Sequence, residues 1–382
     1  MPTALRHNSA VLSNMQAAIL PSLKALPAMH PTAQQYLREI RRSFKSELVI
    51  PVPPEPQRPE IQQAHARWAR YIHATFDEDL QPEIDQHAWN MPYWMERLES
   101  KLYEDLADYC LNAHEQQALQ QVAVAYLPLQ NANACALPVP CATAANGAHA
   151  IVLELGLIWT AFLLTEGLLL AAEGMEEAAH DTYQRLLAGY QHYQLAPALE
   201  IWRVGSALMS EERISLQAGA VSTVILRFVA LHELGHVVLG HVEHAGMGCT
   251  LQGYACEVRY AHAAELGQAT TWAMEEAADD FALAHMLAHT GSAQQMWNNM
   301  LFIGLMFRLW DHLWRRSQPE ATPWPVDSTH PPPLARLERL TLQVQAALGP
   351  PPNDAPLWAE LTFTQWCEPW PATAEVQAPS NQ

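Results

Sequence analysis

Two histidines and a glutamate in one short stretch have the spacing of a catalytic metal site. The sequence reads His232-Glu233-Leu234-Gly235-His236, inside an apolar run that continues on both sides. On a helix with 3.6 residues per turn, histidines four positions apart project from one face and can share a zinc ion. Glu233 then lies beside the open coordination position, where a carboxylate can take a proton from metal-bound water. The stretch therefore predicts a helix that carries a hydrolytic zinc centre.

The position of the third zinc ligand separates the classes of such sites. A metzincin has glycine three and histidine six residues after the second motif histidine, but this chain has Leu239 and Val242 there. On a continuous helix, His241 and His244 would point roughly 180° and 120° away from His232. We therefore interpret both as surface or capping residues, and the metzincin class is disfavoured.

A second stretch offers carboxylate ligands. Residues 272–283 are rich in alanine and contain no Gly or Pro, as expected of a helix. Glu275 and Asp279 lie one turn apart, so the first can bind metal while the second hydrogen-bonds a ligand histidine and fixes its tautomer. Glu276 and Asp280 have the same spacing one residue out of phase, and spacing alone leaves both pairs open. An ordinary solvated acidic helix face is a further alternative.

These motifs resemble those of gluzincin metallopeptidases, in the family that contains the CAAX prenyl endopeptidases and the HtpX heat-shock protease. That family has His-Glu-x-x-His, then Glu-x-x-Ala-Asp on a second helix, then His-Pro with Arg six residues after the His. Here the second motif starts at Glu275, which the resemblance makes the expected ligand, with Asp279 orienting a ligand histidine. The third motif contains His330 and Arg336. By resemblance, His330 helps to stabilise the oxyanion and Arg336 orients active-site carboxylates.

A fourth match lies upstream of the zinc motif. Residues 133–138, Asn-Ala-Cys-Ala-Leu-Pro, and the apolar residues 151–158 resemble the family's active-site hairpin. Its edge strand would have free N–H and C=O groups that bind an extended peptide, and the candidate substrate-binding residues are Asn133, Ala134 and Ala136. An ordinary hairpin is the alternative. The long interval between this hairpin and the zinc motif departs from the family pattern.

Composition and patterning predict a mainly α protein with a small β-sheet, an α+β fold, and the resemblance to gluzincins implies that this fold is zincin-like. With 382 residues, 49% of them hydrophobic, the chain can bury a full core. Helical patterning covers most of residues 60–130, 150–210, 222–245, 260–316 and 332–348. We expect an N-terminal arm and Pro-rich linker at 1–60, a helical region at 61–130, a peptidase domain at 131–348 with a helical insert at about 159–220, and a tail at 349–382.

The tail at 349–382 has two interpretations. Its proline-rich, polar composition is typical of disorder, whereas its tryptophans favour docking onto the body or onto a partner. These tryptophans are Trp358, Trp366 and Trp370. Composition leaves both interpretations open.

Charge and hydropathy narrow the partners and the location. The net charge of −19 argues against nucleic acid or an anionic membrane, because neutralising phosphate takes clustered Lys and Arg. The apolar stretch 151–170 contains Glu154 and Glu166, so we expect a buried helix rather than a membrane span. No secretory signal is apparent and the cysteines lack CxxC spacing, which favours a cytoplasmic location with reduced thiols.

The sequence thus favours a soluble zinc-dependent metalloendopeptidase that acts on a protein or peptide substrate. One Zn²⁺ per chain would be held by His232, His236 and Glu275, while Glu233 activates the zinc-bound water and later protonates the leaving amine. A first alternative is a narrow-specificity conflict or regulatory protease of the Lit or ImmA type, whose His-Glu-x-x-His region is also similar. A second alternative is a non-catalytic, zinc-stabilised interaction protein.

Overall fold

The computed structural model describes residues 29–43, 91–127, 133–139, 147–191, 212–244, 268–317 and 330–367. Within these ranges the chain is mainly helical with one three-stranded mixed sheet, which confirms the expected α+β class. The helices are α1 Pro31–Ser43, α2 Met91–Tyr109, α3 Ala113–Gln120, α4 Leu155–Ala172, α5 Glu176–Gln191, α6 Glu212–Val238, α7 Gln268–His289, α8 Ala293–Ser317, α9 Pro333–Leu348 and α10 Ala355–Cys367. The strands are β1 Val122–Leu127, β2 Ala134–Pro138 and β3 His149–Glu154.

The sheet has the strand order β1-β3-β2. The central strand β3 pairs parallel with β1 and antiparallel with β2, so β2 lies at an edge of the sheet. Every residue of β1 is buried, as expected of a strand covered on both faces. A proline ends β2 at Pro138, which suits an edge strand because proline cannot donate to a ladder.

The helical prediction is wrong for residues 122–127, which form β1. Alternate side chains of this strand enter two different cores. Val122, Val124 and Tyr126 join the large core. Ala123, Ala125 and Leu127 join a small core on the other face of the sheet. A strand that is apolar on both faces looks like a continuous apolar run, and periodicity cannot distinguish such a run from a buried helix.

Two hydrophobic cores sandwich the sheet. The large core lies between one sheet face and the helices α2 to α10. The small core lies between the other face and α1, which contributes Ala33 and Leu37. The N-terminal helix α1 therefore covers a face of the sheet that would otherwise expose apolar side chains.

Helix α6, which carries the His-Glu-x-x-His motif, passes through the middle of the large core. Its 27 residues contain no proline, and it packs against α7 at Gly235. A Cβ at Gly235 would lie 3.1 Å from Cδ1 of Phe281 on α7, so the glycine allows a close approach of the two helices. In the described part of the chain, Leu216–Val238 is the one helix long and apolar enough to cross a membrane, but 83% of its most apolar window is buried inside the protein. It has the character of a core helix.

Helix α9 begins immediately after the His-Pro motif. Pro333 occupies the first turn, where a missing N–H costs nothing, and Gly349 ends the helix with a positive φ of 82°. The prolines at 331–333 therefore place His330 just before the helix and Arg336 on its first turn.

Part of the tail docks onto the body. Residues 355–367 form α10, and the buried ring of Trp366 lies 5.5 Å from the ring of Tyr183 on α5. For this segment the structure favours docking over disorder. Trp370 lies outside the described residues.

Candidate metal centre

Two helices and the segment before α9 bring the predicted site residues together. His232 and His236 lie on one face of α6, one turn apart, and both are buried. Their Nε2 atoms are 3.1 Å apart. Glu275 reaches this pair from α7, with its carboxylate oxygens 3.3 Å from Nε2 of His232 and 3.4 Å from Nε2 of His236. The three side chains therefore direct their metal-binding atoms at one point.

The spacing of these atoms fits a tetrahedral zinc ion. Ligand atoms at about 2.0–2.1 Å from zinc, with tetrahedral angles, lie about 3.3–3.4 Å from one another. The separation of 3.1 Å between the histidine nitrogens is close to that value, and Glu275 presents a different oxygen to each histidine, Oε2 at 3.3 Å from Nε2 of His232 and Oε1 at 3.4 Å from Nε2 of His236. Two imidazoles and one carboxylate also form a donor set that leaves a fourth position open. Among the described residues, this is the group of His, Cys, Asp and Glu with suitable spacing for a metal ion.

Asp279 and Arg336 support the ligand side chains from behind. The Asp279 carboxylate is fully buried and lies 3.0 Å from Nδ1 of His232. It also accepts two hydrogen bonds from Arg336, from Nε at 2.9 Å and from Nη2 at 2.7 Å. Arg336 lies 4.0 Å from Glu275 through Nη1 and stacks its guanidinium over the ring of Phe307. Asp279 thus fixes the orientation of His232, and Arg336 fixes Asp279.

Glu233 lies between the ligand pair and the sheet edge. Its side chain is buried, and its carboxylate accepts a hydrogen bond from the backbone N–H of Ala136 on β2. Burial raises the pKa of Glu233, and the nearby charge of His232 partly opposes this shift. A carboxylate with a raised pKa is a better proton acceptor and donor near neutral pH than an ordinary glutamate.

The edge strand β2 directs alternate backbone groups toward the motif helix. The C=O of Asn133 accepts from Glu154, and the N–H of Val139 donates to Ala148, so these residues bond to β3. Because the groups of an antiparallel strand alternate between its two sides, Ala134 and Ala136 point their N–H and C=O groups away from β3. The carbonyl of Asn133, by contrast, accepts its hydrogen bond from β3 and does not face outward.

His330 completes the cluster. Its Nε2 lies 3.3 Å from Oε2 of Glu275, and its side chain is 47% exposed. The imidazole thus contacts the buried ligand carboxylate and also meets solvent. This position suits a donor that faces a substrate at the mouth of the site.

The electrostatics of the site favour a cation. Burial opposes protonation of His232, but hydrogen bonds to Asp279 and Glu275 outweigh it and raise the pKa of His232 to about 10. For Glu275, burial is outweighed by the charges of His330 and His236, which hold its pKa well below the usual range. The carboxylates therefore stabilise positive charge at the point where the ligand atoms meet.

The second acidic pair has a different role. Asp280 accepts from Arg339, and from Gln343 at 2.7 Å, while the backbone C=O of Glu276 accepts from Arg339 at 2.8 Å. These contacts join α7 to α9 beside the site, and Arg339 also lies 3.5 Å from Asp279. Of the two spacings that the sequence left open, the pair Glu275 and Asp279 faces the site.

The interpretation of His241 as a surface or capping residue is wrong. It assumed a continuous helix, but α6 ends at Val238 and the chain turns at Gly240, whose φ is +73°. The following 3₁₀ turn, His241–His244, returns His241 to the site, with its Nδ1 3.0 Å from Nδ1 of His236. Leu239-Gly240 in the sequence was the available signal, since glycine commonly follows a helix end.

Comparison with known proteins adds one match. A family model described as Peptidase U49 matches residues 179–350. The match supports a peptidase. It covers less than half of the chain and spans both motif helices and the segment of His330 and Arg336, while β2 lies outside it. It supports a peptidase family without supporting the HtpX and CAAX prenyl endopeptidase assignment in particular. No curated protein and no solved structure gives a significant match.

Proposed function

We propose that this protein is a zinc-dependent metalloendopeptidase. The observation that carries the proposal is the convergence of the buried His232, His236 and Glu275, whose metal-binding atoms lie within 4.8 Å of one another and form a donor set that suits zinc. The buried Glu233 beside them supplies an acid–base group. The match to a peptidase family model supports the same class of reaction.

Zinc, when bound, would lower the pKa of a water in the open position and polarise the scissile carbonyl. Glu233 takes a proton from the attacking water and passes it to the leaving amine. The N–H of Ala136 holds the Glu233 carboxylate in place for both transfers. His330, exposed at the mouth of the site, donates to the developing oxyanion.

The edge strand β2 binds the substrate in this proposal. Ala134 directs an N–H and a C=O away from β3, and Ala136 directs a C=O, so an extended peptide can add to the sheet beside Glu233. The gluzincin arrangement of the HtpX and CAAX prenyl endopeptidase type is part of the proposal and rests on the order of the three motifs, with Glu275 as third ligand and Asp279 and Arg336 behind it.

The metal half of the proposal is tested by elemental analysis of purified protein. We expect about one zinc per wild-type chain. Glu275→Gln should lose most of that zinc, because it replaces an anionic ligand by a neutral amide. Glu276→Gln is the matched control, since its side chain is one position out of phase, and it should keep wild-type zinc. Zinc retained in Glu275→Gln and lost in Glu276→Gln would assign the third ligand to Glu276 instead of Glu275.

The catalytic half is tested with Glu233→Gln in a peptide-library cleavage assay. This variant should keep zinc, because Glu233 is not a ligand, and should lose about 10²–10⁴-fold or more in rate, as expected for loss of a general base. Chelator should abolish cleavage by the wild type. Zinc binding with no cleavage of the library by the wild type would instead favour the narrow-specificity protease or the zinc-stabilised interaction protein, and full activity in Glu233→Gln would exclude the mechanism.

A further inference from the structure

The two candidate zinc histidines have different partners behind them. Nδ1 of His232 faces the carboxylate of Asp279 at 3.0 Å. Nδ1 of His236 faces Nδ1 of His241, also at 3.0 Å, and the two imidazole rings are 5.1 Å apart and inclined by 64°. The resemblance to gluzincins assigns no role to His241.

The short distance between two Nδ1 atoms requires one donor and one acceptor. His236 turns its Nε2 toward His232 and Glu275, so that nitrogen needs a lone pair if it is to bind a metal ion. A neutral imidazole whose Nε2 has the lone pair has its hydrogen on Nδ1. His236 is then the donor, and Nδ1 of His241 is the acceptor.

We infer that His241 is a positioning residue that fixes the tautomer and the ring orientation of His236 for metal binding. The inference rests on the proposed function, because the role requires a zinc ion at Nε2 of His236. Partners behind metal ligands act in this way by holding the ligand ring and increasing its basicity. In this protein a carboxylate serves one ligand histidine and an imidazole serves the other.

The local backbone explains how His241 reaches this position. The N–H of Leu239 still donates to the C=O of Gly235, and the N–H of Gly240 donates to the C=O of Val237, three residues back. The helix therefore ends with a tighter last turn at these residues. Gly240 then adopts a positive φ of 73°, which L side chains rarely adopt. The reversed chain direction places the next residue, His241, behind the second motif histidine.

The test compares two substitutions of His241, one that keeps a hydrogen-bond acceptor and one that keeps an aromatic ring. His241→Asn keeps an oxygen acceptor near the position of Nδ1, whereas His241→Phe keeps the ring and removes the acceptor. We measure the zinc dissociation constant of the full chain by competition with a chelator. His241→Phe should weaken zinc binding about 10–100-fold, while His241→Asn should stay within about threefold of the wild type. His241→Leu also lacks an acceptor but has a smaller side chain. It should weaken zinc binding to a similar extent, which would show that the loss in His241→Phe does not come from a ring too large for the position.

A matched control and a stability measurement exclude a merely structural effect. His180→Phe makes the same change at an exposed histidine on α5 and should leave zinc affinity unchanged. Thermal unfolding of the metal-free proteins should give similar midpoints for wild type, His241→Asn and His241→Phe. A fall in that midpoint that matches the loss of affinity would assign His241 a packing role and overturn the inference.

The remaining outcomes separate this inference from the proposed function. Wild-type zinc binding with unchanged affinity in both His241→Phe and His241→Leu overturns the role of His241 and leaves the metallopeptidase proposal intact. Equal losses in His241→Asn and His241→Phe overturn it also, because the acceptor would then be irrelevant. A wild type that binds no zinc overturns both proposals.

Discussion

Replacing Asp279 with asparagine tests the support of the site most directly. The side chain is fully buried, accepts two hydrogen bonds from Arg336 at 2.9 and 2.7 Å, and lies 3.0 Å from Nδ1 of His232. Asp279→Asn keeps the size but removes the charge and turns one oxygen into an NH₂ group. In either orientation of the amide, the NH₂ group faces N–H donors of Arg336, and in one of them it also faces Nδ1 of His232. A buried donor is therefore left facing another donor, without an acceptor.

The expected cost follows from what remains around Arg336. Breaking a buried ion pair by removing one partner costs about 3–5 kcal/mol. Arg336 keeps Glu275 at 4.0 Å and the ring of Phe307 at 5.0 Å, and both stabilise the remaining positive charge. We therefore expect the lower end of the range, about 3 kcal/mol. That is a large share of the roughly 5–15 kcal/mol by which folded domains are usually stable.

Urea unfolding of the metal-free protein at neutral pH measures this cost. Asp280→Asn is the matched control, because that carboxylate is 48% exposed and pairs with Arg339 at the surface of the same helix. Its cost should stay below about 1 kcal/mol. If Asp279→Asn also cost less than about 1 kcal/mol, the buried charge of Arg336 would not depend on Asp279 and the reasoning would be refuted.

Three further predictions concern packing and pH. Gly235→Ala gains about 1 kcal/mol of helix propensity but places a Cβ 3.1 Å from Phe281, an overpacking that costs about 1–3 kcal/mol. We expect a lower thermal midpoint; a higher midpoint would contradict the close helix contact. Burial opposes ionisation of Glu115, but the hydrogen bonds of its carboxylate with His285, the Leu111 N–H and Asn112, together with the charge of His285, outweigh burial and lower the pKa of Glu115. The stability that Glu115 contributes is therefore present above its unfolded pKa of about 4.3 and is lost as pH falls through the lower folded pKa. Urea unfolding should show a deficit for Glu115→Gln at neutral pH that disappears in acid, and a deficit independent of pH would contradict the ionic contribution. Trp366→Ala should cost about 3–5 kcal/mol in the same assay, since the ring is buried, and an unchanged stability would mean that α10 does not dock.

The site was more predictable than the packing around it because its chemistry depends on spacing along single helices. His232 and His236 lie one turn apart in the sequence and in the structure. The same logic narrowed the carboxylates to two pairs but could not choose between them, because the rotation of one helix against another is set by tertiary packing. Here the contacts of α7 with α9, from Arg336 to Asp279 and from Arg339 to Asp280, fix the rotation of α7 that directs Glu275 toward the histidines.

Three features escaped sequence reasoning for identifiable physical reasons. His241 was misplaced because the helix ends two residues after the motif, and the end depends on one glycine with positive φ. Residues 122–127 were assigned to a helix because both faces of the strand are apolar. Docking of Trp366 remained open because composition cannot show whether a matching surface exists, and here Tyr183 on α5 makes ring contacts with both Phe363 and Trp366 of α10.

The hydrogen bond from Ala136 to Glu233 determines how substrates of this protein should be trapped. A common strategy captures a substrate on an inactive variant, and alanine is a usual choice for the catalytic position. In this protein, Glu233→Ala would leave the buried N–H of Ala136 without its acceptor, at the strand where a peptide would have to bind. Glutamine keeps a carbonyl oxygen for that N–H, so Glu233→Gln preserves the proposed binding edge while removing the proposed base. Pull-down experiments with the glutamine variant should therefore retain partners that the alanine variant loses.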